Sequence, residues 1–133
     1  MSSVRVRSEV LAAIMAHARR DVPLECCGLL LVRNGVIDEA MPARNLRQSP
    51  ATFEVDPADH FAALRKARSS ARSVRGVYHS HPRGPSVPSA TDRKEMNDPS
   101  LLYLIVSLAE PAGVYAFRWQ DGNFVPVDLV PVP

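Results

Sequence analysis

The order of elements in this sequence predicts an α/β fold: a single-domain mixed β-sheet flanked by helices. Three observations carry that expectation. Residues 27–32 form a nearly all-apolar run, the mark of a strand buried on both faces, and Asn34-Gly35 behind it turns the chain back on itself. Residues 8–20 and 56–68 carry apolar side chains at helical spacing. Three further strand patterns close the chain, the last two joined across Asp121-Gly122.

Taken in order, Ser8 is the expected N-cap of the first helix, with Val10, Leu11, Ile14 and Ala18 recurring on one face. Asp21-Val22-Pro23 ends that helix, because proline disfavours a helical residue before it. The buried strand, the Arg33-Asn34-Gly35 turn and a returning strand at residues 36–41 follow. Residues 45–50 read as loop, and Thr52-Phe53-Glu54-Val55 as a short strand. Asp56-Pro57 opens the second helix with a cap and a proline in its first turn; Phe61, Leu64 and Ala67 or Arg68 mark its faces. An apolar strand, residues 74–78, runs into a loop and a third helix at residues 89–96. Strands at 102–108, 114–119 and 124–129 complete the set, and the tail 130–133 has little to order it. No repeat or linker divides residues 1–133, so one domain is expected.

Composition excludes several classes. Sixteen basic against 14 acidic residues is too balanced for a nucleic-acid binder. The local exception runs from Arg65 through Lys66 and Arg68 to Arg72 and Arg75, a solvated helix face or a docking patch for an acidic protein. No apolar run approaches the roughly 20 residues that span a bilayer, and residues 1–7 lack the apolar core of a signal peptide. Cys26 and Cys27 are adjacent and form no disulfide framework. A cytoplasmic, reducing location is therefore expected, without membrane or nucleic-acid partners.

The most informative stretch is His79-Ser80-His81-Pro82-Arg83-Gly84-Pro85-Ser86-Val87-Pro88-Ser89-Ala90-Thr91-Asp92. On a strand, His79 and His81 point to one side, while Ser80 faces away. Asp92 returns after a loop stiffened by proline. Two imidazoles and one carboxylate, with a fourth position left for water, is a common catalytic zinc set. A metal held so lowers the pKa of a bound water from about 15.7 toward 7. The competing reading makes Ser89 and Asp92 a helix capping pair.

This run, His-Ser-His-Pro-x-Gly followed by Pro-Ser-x-x-Asp, resembles the JAMM (MPN-plus) zinc metallopeptidases. So do Pro23-Leu24-Glu25-Cys26-Cys27-Gly28 ahead of the buried strand and the apolar run beginning at Tyr103, and the likeness covers residues 7–128. The resemblance implies the MPN fold, a cytidine-deaminase-like layout. It implies one Zn2+ per chain on His79, His81 and Asp92. It further implies Glu25 as the residue that moves the proton and Ser89 as a donor to the oxyanion. Taken alone, Glu25 is an exposed loop acid and Ser89 an N-cap.

The chain is similar to the small bacterial members of that family. These act on ubiquitin-like sulfur-carrier proteins after a C-terminal Gly-Gly, trimming a tail or releasing an amino acid such as cysteine. An exposed strand edge beside the metal is the expected seat for such a tail. The alternatives are a non-catalytic scaffold, whose class shows missing ligands, and a zinc hydrolase of small amides or cell-wall peptides. His17 and His60 lie inside helices with no ligand partner, and Cys26 and Cys27 read as packed thiols.

Overall fold

The computed structural model describes residues 3–133. The elements run β1 (Ser3–Arg7), α1 (Ser8–Asp21), β2 (Cys27–Arg33), β3 (Val36–Ala43), α2 (Pro57–Ser69), β4 (Ser73–His81), α3 (Ala90–Lys94), β5 (Leu102–Ser107), β6 (Gly113–Gln120) and β7 (Asn123–Val132). The strands pair in the order β1-β3-β2-β4-β5-β6-β7. The mixed sheet with helices is as expected; its closure into a barrel is an addition. β1 and β7 close it in parallel, Ser3 opposite Asp128 and Arg7 opposite Val132. No helix among the described residues is long and apolar enough to cross a membrane.

The barrel has two apolar compartments. Strand alternation and the face of α1 send Val6, Val10, Ile14, Ala18, Leu30, Tyr78, Leu104, Ala116 and Val127 into one core. α2 covers the other side of β2 and β4, where Leu29, Leu31 and Val77 meet Ala63 and Ala67. The fully buried Leu30 and Leu104 contribute about 1.5–3 kcal/mol each by leaving water. Gly28 lies opposite Tyr78, and a Cβ there would sit 2.2 Å from the tyrosine ring. Only glycine lets that ring cross its strand.

Several expectations are corrected. Residues 3–7 are a strand, and their Val4 and Val6 alternation was the overlooked signal. Ser8 is the first helical residue; Arg7 holds the cap position with no side-chain cap bond. Residues 52–55 form no strand, only a bridge between Asn45 and Val55. The buried face of α2 is Ala63 and Ala67, so Phe61 and Leu64 face solvent, 61% and 42% exposed. The tail is strand through Val132, because Val130 and Val132 find partners in Arg5 and Arg7. Asp56 caps α2 as foreseen, accepting from the Ala58 amide. Asn34 and Gly35, like Asp121 and Gly122, take the positive φ of a tight hairpin turn.

His17 is buried, its Nδ1 2.7 Å from the Tyr78 hydroxyl and its Nε2 3.2 Å from Asp21. A neutral imidazole satisfies both, accepting from Tyr78 and donating to Asp21. Burial holds its pKa below the usual value, with Asp21 pulling the other way. The folded chain therefore binds this proton less readily than the unfolded chain. Stability is fully present above about 6.5, the unfolded value, and is lost as pH falls below it. A His17→Gln chain, which cannot charge, should show a smaller drop in Tm between pH 7.5 and pH 5 than the parent; equal drops would remove His17 from the acid response.

Candidate metal centre

β4 delivers the two histidines. It is buried from Gly76 to its end, held between β2 and β5, with His79 opposite Cys27 and Ile105. Tyr78 and Ser80 face the α1 core, and His79 and His81 emerge on the other side. Their Nε2 atoms lie 3.2 Å apart. His79 is more enclosed than a strand end implies: it is 2% exposed and stacks on Phe53 at 4.4 Å between centroids, 17° between planes.

Asp92 arrives on α3, where it is at once a capping residue and a close neighbour of both imidazoles. Ser89 caps this helix: its Oγ accepts from the Asp92 amide at 3.0 Å, and its own amide donates to Asp92 Oδ2 at 2.9 Å. The same Oδ2 is 3.1 Å from His81 Nε2 and 3.2 Å from His79 Nε2. The cap thus fixes the carboxylate that completes the cluster. His79, His81 and Asp92 can hold a metal ion, one ligand atom each, all within 4.8 Å of one another.

The donor set fits a cation. His81 Nδ1 is 2.8 Å from the Pro85 carbonyl, which can only accept, so Nδ1 carries the proton. In the neutral ring, Nε2 then turns a lone pair toward Asp92, itself an acceptor. A proton or a metal ion must lie between them. Separations of 3.1–3.2 Å also match the edge of a tetrahedron with bonds of about 2.0 Å, roughly 3.3 Å. Burial would raise the Asp92 pKa, but the two imidazoles and the Ser89 amide hold it far below the carboxylate range. His79 is lowered by burial. His81 would be lowered likewise, but its bonds to Asp92 and Pro85 outweigh that and raise it.

Glu25, in the segment before β2, feels the charges of His81 and Asp92. It is 4% exposed, not a loop acid in solvent. Burial pushes its carboxyl up to about 8, with His81 pulling down and Asp92 adding to the rise. Among the described residues, the buried side-chain atoms without a hydrogen-bond partner are Glu25 Oε1 and His79 Nδ1. Each costs about 1–3 kcal/mol.

The centre opens into a cavity of about 670 Å³ bordered by Phe53, Val77, His79, Asp92, Tyr103 and Phe124. One wall is built from Arg47, Phe53, Glu54 and Val55, with Arg47 bonded at 2.7 Å to Glu95, the residue that ends α3. The places of Asn45, Phe53 and the Pro85 carbonyl around the centre were not legible in the sequence: the first two fall between Pro42 and Pro57 and the third between Pro82 and Pro88, in irregular segments whose shape no period records. The ligand strand offers no free edge, because β4 is paired on both sides here. Cys26 and Cys27 are buried free thiols pushed up to about 11 and about 12 by burial, which disfavours a thiolate nucleophile. His60 borders the cavity without joining the cluster.

A closed mixed barrel carrying a His-x-His strand and a capped aspartate around one cation position defines a metallopeptidase-type domain. The chain belongs to the prokaryotic homologs of the JAB domain, which match residues 7–120. A desampylase of Haloferax volcanii is 33% identical over 131 residues, 92% of each chain. A CysO-cysteine peptidase of Mycobacterium tuberculosis is 32% identical over 131 residues, 94% of this chain and 90% of its own. The solution structure of a protein from Desulfitobacterium hafniense superposes with a TM-score of 0.89 at 34% identity, over 97% of this chain and 92% of that one. The resemblance to JAMM peptidases read from the motifs is borne out.

Proposed function

We propose that the chain is a zinc peptidase that hydrolyses the amide bond after the C-terminal Gly-Gly of a ubiquitin-like sulfur-carrier protein. Either a masking tail is trimmed or an amino acid such as cysteine is released. The observation that carries the reading is the convergence of His79, His81 and Asp92 at 3.1–3.2 Å. The relatives named for desampylation and for CysO-cysteine support the substrate class.

Zinc on these three residues would supply a Lewis acid that makes water nucleophilic near neutral pH. The chain's own residues do the rest. Glu25, poised near neutrality, accepts the proton of the attacking water and passes it to the leaving amine. Ser89 Oγ accepts from the Asp92 amide, so its hydroxyl proton is free to donate to the scissile carbonyl as charge gathers there. His81 is kept in register by Pro85. Phe53 covers His79 and excludes water from one side. With no free edge on the ligand strand, the tail lies along the cavity between the segment 45–55 and α3, and glycines suit that passage because they bring no side chain.

The carrier's body would dock on α2. Of the expected basic face, Lys66 is paired with Glu39, and Arg72 with Asp38 and Glu39. Arg65 and Arg68 have no carboxylate partner among the described residues, and they share the helix face of the exposed Phe61 and Leu64.

The test combines metal analysis with two substrates. The purified chain should carry one zinc, and a carrier extended past its Gly-Gly should be cut back to it while a free peptide of the same tail is cut poorly. Reversing Arg65 and Arg68 to Glu should raise KM for the carrier more at low salt than at high salt, and leave the peptide rate unchanged. No zinc uptake sinks the metal assignment. Peptides cut as fast as the carrier would make the chain a hydrolase of small amides.

A further inference from the structure

We propose that Asn45 is a positioning residue for hydrolysis, setting Glu25 and Phe53 against the metal centre through one side-chain amide. The inference rests on the role given to Glu25 above. Among the described residues the buried Glu25 Oε1 has no hydrogen-bond partner. Its aim must come from the backbone that carries it.

That backbone is pinned from two sides. On the strand side, the Cys26 amide donates to Ser80 Oγ at 2.8 Å, and the Ser80 amide donates to the Cys26 carbonyl at 3.1 Å. Ser80 stands between the two histidines, so this side ties Glu25 to the ligand strand. On the loop side, the Glu25 amide donates to the Ser49 carbonyl at 2.8 Å, and the Glu25 carbonyl accepts from Asn45 Nδ2 at 3.2 Å.

Asn45 spends every other hydrogen bond of its amide on the loop. Nδ2 also donates to the Thr52 carbonyl at 3.1 Å, and Oδ1 accepts from the Arg47 and Glu54 amides at 3.0 Å each. Thr52 and Glu54 flank Phe53, the ring stacked on His79. A single planar group therefore fixes the peptide of the proton carrier and the ring against a metal ligand. A hydrophilic loop residue kept only for solubility would not be used at all four positions. Placement errors of about 1 Å at such a group cost on the order of 10²-fold in rate.

The experiment uses the zinc-loaded chain and a carrier protein extended by one residue past its Gly-Gly. Asn45→Ala should lower kcat about 10- to 100-fold, with KM little changed and zinc content kept. Asn45→Asp keeps the acceptor for Arg47 and Glu54, and so the loop, but loses the donors; it should lower kcat comparably. In a Glu25→Gln background, each change should lower the residual rate by a much smaller factor, because the larger part of its effect runs through Glu25. Hydrogen exchange at the Glu25 amide should quicken in both variants, a readout independent of turnover. Equal fold losses with and without Glu25, or a rise in KM alone, would overturn the positioning role and leave Asn45 a loop staple. Near-normal turnover of Glu25→Gln by itself would instead overturn the role of Glu25.

Discussion

Glu25→Gln is expected to keep zinc and lose turnover, with kcat falling about 10²–10⁴-fold, the usual size of a general acid–base contribution. Gln matches Glu in shape and cannot carry the proton. The same change should stabilise the metal-free chain. Burial raises the Glu25 carboxyl from 4.5 to about 8, so the folded state binds this proton more tightly than the unfolded one. Its contribution is fully present below about 4.5 and is lost as pH rises through about 8. At pH 8 the chelated Gln variant should therefore melt above the chelated parent. A variant that is active, or that melts lower, contradicts this account of a group kept for chemistry at a cost in stability.

Asp92→Asn should abolish both metal binding and activity while the fold stands. The amide oxygen of Asn can still accept from the Ser89 amide, so the cap of α3 survives. The negative charge between the two imidazoles is gone. Zinc affinity should fall by more than about 100-fold, beyond what is usual for losing an outer partner of a ligand. Addition of zinc, which should raise the Tm of the parent by mass action, should leave this variant unmoved. His79→Ala is the poorer probe, because its ring is buried against Phe53 and its loss leaves a cavity.

The centre was legible because its residues lie on a strand and a short helix, where spacing fixes direction. His79 and His81 face one way by alternation, and Asp92 is a capping residue three positions after Ser89. The wall carried by Phe53 and held by Asn45 was not legible. Its shape comes from one side chain binding backbone groups up to 20 residues away, and no period records that. Barrel closure escaped for a similar reason. The alternation of Val4 and Val6 was present, but its partners lie at the other end of the chain. On α2 the large apolar residues are the stronger sequence signal, while the sheet takes only Ala63 and Ala67, which let the helix approach closely.

The joining of β1 to β7 also bears on how fast the molecule forms. Arg7 and Pro133, bonded at 2.9 Å, are 126 residues apart along the chain. Hairpins such as β2–β3 and β6–β7 need only local loop closure, whereas the seam must bring distant segments together before any of its bonds can reward them. Refolding from denaturant should therefore show the neighbouring pairs protecting their amides early and the Ser3–Arg7 amides last, the assembly rate being set by the seam rather than by the metal centre.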